Sequence, residues 1–236
     1  MDEVPAATPL DEPVNASDSE MPSLPVRLVW AFFSPGRLMD RLAEKPLWGA
    51  ALLTSAVIVA LSVALIPIDI FLETQRQAMI DAGQDPAAMG DGAAQLMRVV
   101  IPVTTVLSTI IFSFIFAGLY TVVFAFILGD EGSYKQYLAA LSHAWFIAAF
   151  IGLLLTPLKI MNGDAQLTLN LGLFMPFLPD GYIQNVFRLL DIAQIWSTLV
   201  LAQGAHAIDS RRSFGSAAAI LLTITVLFIA ILARFV

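Results

Sequence analysis

Long apolar runs alternate with short polar connections along most of the chain, and their spacing predicts helices that cross a lipid bilayer. Trp48–Phe71 is the first run above the roughly 20 residues a bilayer core requires. Val99–Leu128, Tyr134–Leu158, Val186–Ala205 and Gly215–Phe235 follow. At about 1.5 Å per residue the run from Val99 outreaches a core of about 30 Å, so it must tilt, kink or protrude, with Pro102 the natural place. Ser133 and Gln136 make an S-x-x-Q capping box that opens the next helix on the far side of the polar turn Gly129–Ser133. The pattern therefore predicts an all-α membrane protein, a five-transmembrane-helix bundle.

The remaining segments read differently. Residues 1–26 are acidic, rich in Pro, Ser and Ala, and almost free of large apolar groups, the composition of a disordered acidic N-terminal tail. The opening MDEVPAATPLDEP has neither the basic region nor the apolar stretch of a secretory signal. Ser34 and Pro35 suit an N-cap and a first helical position. They open an amphipathic interfacial helix over residues 35–45, with Leu38, Met39 and Leu42 on one face and Arg37, Arg41, Glu44 and Lys45 on the other. That apolar face suits either lipid or the end of the bundle. Residues 73–98, interrupted by Gly83, Pro86, Gly90 and Gly92, form the longest connection and belong in water. Within the insert at residues 166–174, Leu167, Leu169, Leu171 and Leu173 alternate with Thr, Asn and Gly, a period of two that predicts an interfacial strand or hairpin.

Composition narrows the class. Hydrophobic residues make up 58% and charged residues 13% of the chain, against roughly 25% charged in soluble domains. Without cysteine, disulfides, thiolate metal sites and thiol nucleophiles are excluded. The formal charge of -7 resides mainly in Asp2, Glu3, Asp11, Glu12, Asp18 and Glu20. The rest is close to neutral, which argues against nucleic acid as a partner. Basic residues set the orientation. Arg27, Arg37, Arg41, Lys45, Lys135, Arg211 and Arg212 outnumber Arg76, Arg98, Lys159, Arg188 and Arg234 on the opposite side. The amino terminus is accordingly expected in the cytoplasm and the carboxyl terminus outside an inner, or cell, membrane.

Small residues recur at every fourth position, in Ala140, Ala144, Ala148, Gly152 and Thr156 and again in Thr105, Thr109, Ser113, Ala117 and Thr121. Such rows let helix backbones approach closely in lipid. No motif with a catalytic mechanism occurs, so no catalytic residue, metal site or cofactor is expected. Ionisable groups inside a membrane are functional candidates by default, and His143, Asp191 and Gln194 make a candidate intramembrane polar site. A hydrogen-bonded structural histidine and an Arg188–Asp191 pair at i, i+3 are the plainer explanations. His143 and His206 both fall near the cytoplasmic surface, but nothing in their spacing supports a metal site.

Three stretches carry a resemblance together. They are Phe33, Ser34 and Pro35 with Leu42 and Pro46-Leu47-Trp48; Gly129 with Gly132, Ser133, Tyr134, Lys135 and Gln136; and Leu190, Asp191 and Ile192 with Ile195, Trp196 and Gly204. Their order and spacing resemble the bacterial branch of the Yip1 family over about Arg27 to Val236. The resemblance implies a five-helix membrane domain with a cytoplasmic amino terminus. In eukaryotes the family is linked to Rab GTPases and vesicle traffic, as a membrane-embedded partner and not an enzyme. The Asp-Leu-Tyr-Gly-Pro motif of that branch is absent here, so Rab binding does not carry over, and His143 stands where a tyrosine or small residue is expected. The reading is a non-enzymatic protein that binds or organises membrane lipids, other membrane proteins or copies of itself. The alternative is a small transporter or permease component.

Overall fold

The computed structural model describes residues 21–85 and 92–235. The expected acidic tail lies outside the described residues up to position 20, and its end is helical instead, because α1 begins at Leu24 (Leu24–Phe33). After Ser34, α2 (Pro35–Glu44) starts with proline at its first turn. Next come α3 (Gly49–Leu65), α4 (Ile68–Asp81), α5 (Ala93–Thr121), α6 (Tyr134–Leu154), α7 (Thr156–Asn162), α8 (Tyr182–Leu189), α9 (Ile192–Ile208) and α10 (Phe214–Leu232). Among the described residues there is no strand, only an isolated antiparallel bridge between Asn170 and Asp191.

Among the described residues, three helices are long and apolar enough to cross a membrane: α5 with its continuation to Ile127, α6 and α10. A fourth arises if α3 and α4, bent by 83°, form one span. The expected single span over residues 48–71 is therefore corrected, since α3 stops at Leu65. Pro67 cannot donate a backbone hydrogen bond and forces the residue before it out of the helical region. Ile66 is extended, with φ -75 and ψ 129. Much of the segment expected in water, residues 73–98, is helical, as the end of α4 and the start of α5.

Pro102 does not break α5, which runs through it. The irregularity falls at the other end, where Val122–Ile127 forms a π-helical turn. The expected span over residues 134–158 is shorter: α6 stops at Leu154, because Pro157 cannot continue the hydrogen-bond ladder. The expected span over residues 186–205 is likewise corrected: the chain breaks at Leu190 and Asp191, and the continuous helix runs over Ile192–Ile208.

The expected strand or hairpin at residues 166–174 reduces to a short extended piece. Leu171 N–H donates to Leu190 O at 2.9 Å and Ile192 N–H donates to Leu169 O at 2.8 Å, after which Leu171–Phe174 turns into a 3-10 helix. Its partner is thus the break before α9, not a second strand of the insert.

α6 is the hub, packing against α1, α2, α3, α5 and α9. Leu38, Met39 and Leu42 of α2 are buried against α9 and α6, so its apolar face meets protein and not lipid. Ser133 N–H donates to Gln136 Oε1 at 2.8 Å, and Gln136 Nε2 donates to Ala43 O at 2.7 Å, tying the start of α6 to the end of α2. α6 and α9 approach each other closely. A Cβ on Gly204 would sit 2.7 Å from Ala140 Cβ and 3.1 Å from Met39 Sδ. Gly132 is as constrained, lying 2.5 Å in the same sense from the Tyr137 ring.

Overpacking a well-filled interior costs about 1–3 kcal/mol. Gly204→Ala is expected to lower stability by about that amount, read as a reduced thermal midpoint in detergent. Gly215→Ala, at a position where nothing lies within 4 Å, should not lower it.

Candidate functional site: a hydroxyl-lined cleft between the helices

A cavity between α3, α5, α6, α9 and α10 has a volume of about 650 Å³, within the ordinary range for small-molecule sites. One wall is a stripe on α5, Thr104, Thr105, Ser108 and Thr109. In a bilayer a hydroxyl proton needs a partner, and each of these donates to its own helix, for example Thr105 Oγ1 to Ile101 O at 2.8 Å. Opposite, Ser62 and Thr156 share a 2.8 Å hydrogen bond that joins α3 to the start of α7. Ala148 and Gly152 leave the space between them.

The deep end is aromatic. Phe116 meets Trp145 at 5.6 Å and Phe228 at 6.1 Å between ring centroids, both edge to face. Phe112 and Phe228 remain about half exposed on the rim, so the cleft opens sideways.

The other end is charged. Lys159 and Gln194 line both the cleft and an adjoining chamber of about 310 Å³, which also takes in Asp191 and Thr168. Asp191 does not pair with Arg188, whose guanidinium reaches Asp180 at 3.5 Å. It is the N-cap of α9, with Oδ1 accepting from Gln194 N–H at 2.9 Å.

The three candidate polar residues do not meet. Asp191 and Gln194 share the chamber, whereas His143 lines neither cavity. His143 is fully buried on α6. Its Nδ1 lies 2.8 Å from Ala139 O and, since a carbonyl only accepts, must carry the proton. Nε2 then accepts from Arg27 Nη1 at 3.4 Å. Arg27 is 5% exposed and also donates to Leu47 O at 3.4 Å. His206 has a separate partner, Arg212 O at 2.6 Å. Among the described residues no group of three or more His, Asp and Glu could hold a metal ion.

The small-residue row divides. Ala140 and Ala144 are buried in the core cluster, while Ala148 and Gly152 face the cleft. Of the resemblance residues, Ser34 and Pro35 form the α1–α2 junction, Gly132 and Ser133 the start of α6, and Lys135 and Trp196 are exposed. Lys159 had entered the sequence reading only as a basic residue counted for orientation. The stripe Thr104, Thr105, Ser108 and Thr109, at spacings of one and four, was the available signal for the cleft wall.

A second polar cluster clamps the turns α5–α6 and α9–α10. Arg212 binds Asp130 through both nitrogens, Nη2 at 2.6 Å from Oδ1 and Nε on Oδ2. Asp209 accepts from Arg211 Nη2 at 2.6 Å and from Glu131 N–H at 2.8 Å. Arg211, and after it the backbone N–H groups of Glu131 and Arg211, hold the Asp209 carboxyl well below the usual carboxylate range.

The family model described as the Yip1 domain matches residues 30–235. No curated protein and no solved structure matches the chain.

A carboxyl whose pKa is lowered by folding stabilises the fold fully above its unfolded value, about 3.9, and that contribution is lost as the pH falls through the folded value. Asp209→Asn is therefore expected to lower the thermal midpoint at pH 7. The gap from the unaltered protein should narrow as the pH is taken below about 4.

Proposed function

The chain belongs to the Yip1 domain family, and we propose on that premise that it is a non-enzymatic, multispanning membrane protein that binds lipids or other membrane proteins along its length. The observation that carries this reading is the sideways-opening cleft, with hydroxyls on one wall, aromatics at depth and charge at one end. Such a cleft receives a molecule from the bilayer plane.

Five spans fit this reading: α3, α5, α6, α9 and α10, with the amino terminus cytoplasmic and the carboxyl terminus outside the inner membrane. At 17 residues α9 covers only about 25 Å. It can still cross, because neighbouring helices shield it and the chain at its Asp191 end finds hydrogen bonds within the protein. Organisation of other membrane proteins, and self-association, would use the exposed apolar face of α5, where Leu107, Ile111 and Ile115 project outwards.

A reporter fused near Gly132 should be cytoplasmic and one near Asn170 external; the reverse labelling overturns the orientation. In reconstituted vesicles the protein should pass no solute, whereas a photoreactive residue in place of Phe112 should capture lipid or a membrane protein in native membranes. Solute flux abolished by Asp191→Ala would favour a transporter and overturn the binding role.

A further inference from the structure

The charged end of the cleft contains opposite charges that do not satisfy each other. Lys159 is half-buried, and its ammonium makes no hydrogen bond or ion pair among the described residues. Burial lowers the pKa of its ammonium, while the fields of Asp164 and Asp191 raise it. Asp191 uses Oδ1 to cap α9, and its carboxylate lines the same chamber as Lys159. The Gln194 side-chain amide, also on that wall, has no hydrogen-bond partner among the described residues. Charges removed from water are costly unless partnered. A cation, an anion and an amide around one small chamber thus form a receptor for a group that itself carries both signs.

What continues from the chamber is apolar and long. The cleft follows α5 from Thr104 to Phe116, about 18 Å at 1.5 Å per residue. It ends on Phe116 and Trp145, with half-exposed Phe112 and Phe228 at the opening to the bilayer. Charge at one end and a lipid-accessible aromatic trough at the other match an amphiphile lying parallel to the helices.

We propose that this cleft holds one phospholipid whose zwitterionic headgroup ends in a primary ammonium. Its phosphate binds Lys159 and the Gln194 amide, its ammonium binds Asp191, and one acyl chain lies along the hydroxyl stripe towards Phe116 and Trp145. The second chain stays in the bilayer through the lateral opening. The chemistry excludes near relatives. A purely anionic headgroup would bring its charge up to Asp191 and Asp164 with no cation to offer them. A quaternary ammonium favours an aromatic cage, and the chamber lining includes no aromatic residue. A primary ammonium instead donates directly to a carboxylate.

This inference rests on the membrane-binding reading above and names the ligand of the same cleft. The test is native mass spectrometry of the full chain, purified in mild detergent and equilibrated with mixed micelles containing equal ethanolamine, choline and glycerol phospholipids. One ethanolamine phospholipid per chain should be retained in preference to the others. Loss of one charge-assisted contact should reduce retention roughly tenfold in Lys159→Gln and in Asp191→Asn. Asparagine remains a good N-cap, so the second variant removes the charge and leaves the helix start intact; circular dichroism checks the fold of both. Equal retention of choline or glycerol lipid, or unchanged retention in either folded variant, overturns the proposal. A membrane protein captured from position 112 with no lipid retained also overturns it, while leaving the wider binding role standing. If nothing is retained or captured, both fall.

Discussion

α6 meets α9 where Gly204 faces Ala140, so closely that a Cβ on Gly204 would need its neighbours to shift. Lipid tails are as apolar as leucine, so helices in a bilayer gain little from hiding apolar groups against each other. What holds them is close dispersion contact, which needs small residues where the axes approach. Met39 of α2 reaches the same point, so a buried apolar side chain from outside the long helices is keyed to it. Farther along α6 the same small-residue spacing has the opposite effect. Where α9 no longer fills the gap, Ala148 and Gly152 leave room for the cleft.

Polar groups arrange the two ends around this contact. At one end the Asp130–Arg212 pair and the hydrogen bond from Glu131 N–H to Asp209 join two turns far apart in sequence, next to the π-helical end of α5, where Phe124 stacks on Tyr137 at 5.8 Å. At the other, three helices are interrupted, near Pro67, near Pro157 and at Leu190–Asp191. Backbone freed by such breaks must find partners within the protein or in water. The bridge from Leu169 and Leu171 to Ile192 and Leu190 supplies some of them. The charged chamber is therefore built from the interruptions themselves: Lys159 follows one and Asp191 sits in another.

Much of this was legible in the residues. Apolar run length located α5, α6 and α10, because lipid sets a minimum length that sequence must meet. The Ser133–Gln136 box fixed the start of α6, a local interaction fully contained in four positions. The breaks were harder, since Pro67 and Pro157 lie inside apolar stretches that otherwise read as continuous, while Pro102 near a helix start was tolerated. The alternating leucines at 167–173 correctly signalled an extended backbone for part of the insert, but their partner lay some twenty positions on. Lys159 and the Thr104–Thr109 stripe acquire meaning only when α3, α6 and α9 surround them. His143 was recognisable as an odd residue in a spanning helix; its partner, Arg27, was not, because nothing local connects them.

That pairing bears on how the protein is made. Arg27 and His143 stand 116 positions apart. At about 5–20 residues per second a ribosome needs on the order of 6–25 s to cover that interval. During this time the α1 arginine has no histidine to dock against. Until α6 is made, burying the α1 guanidinium would leave it without that partner, and an unpartnered buried charge is costly.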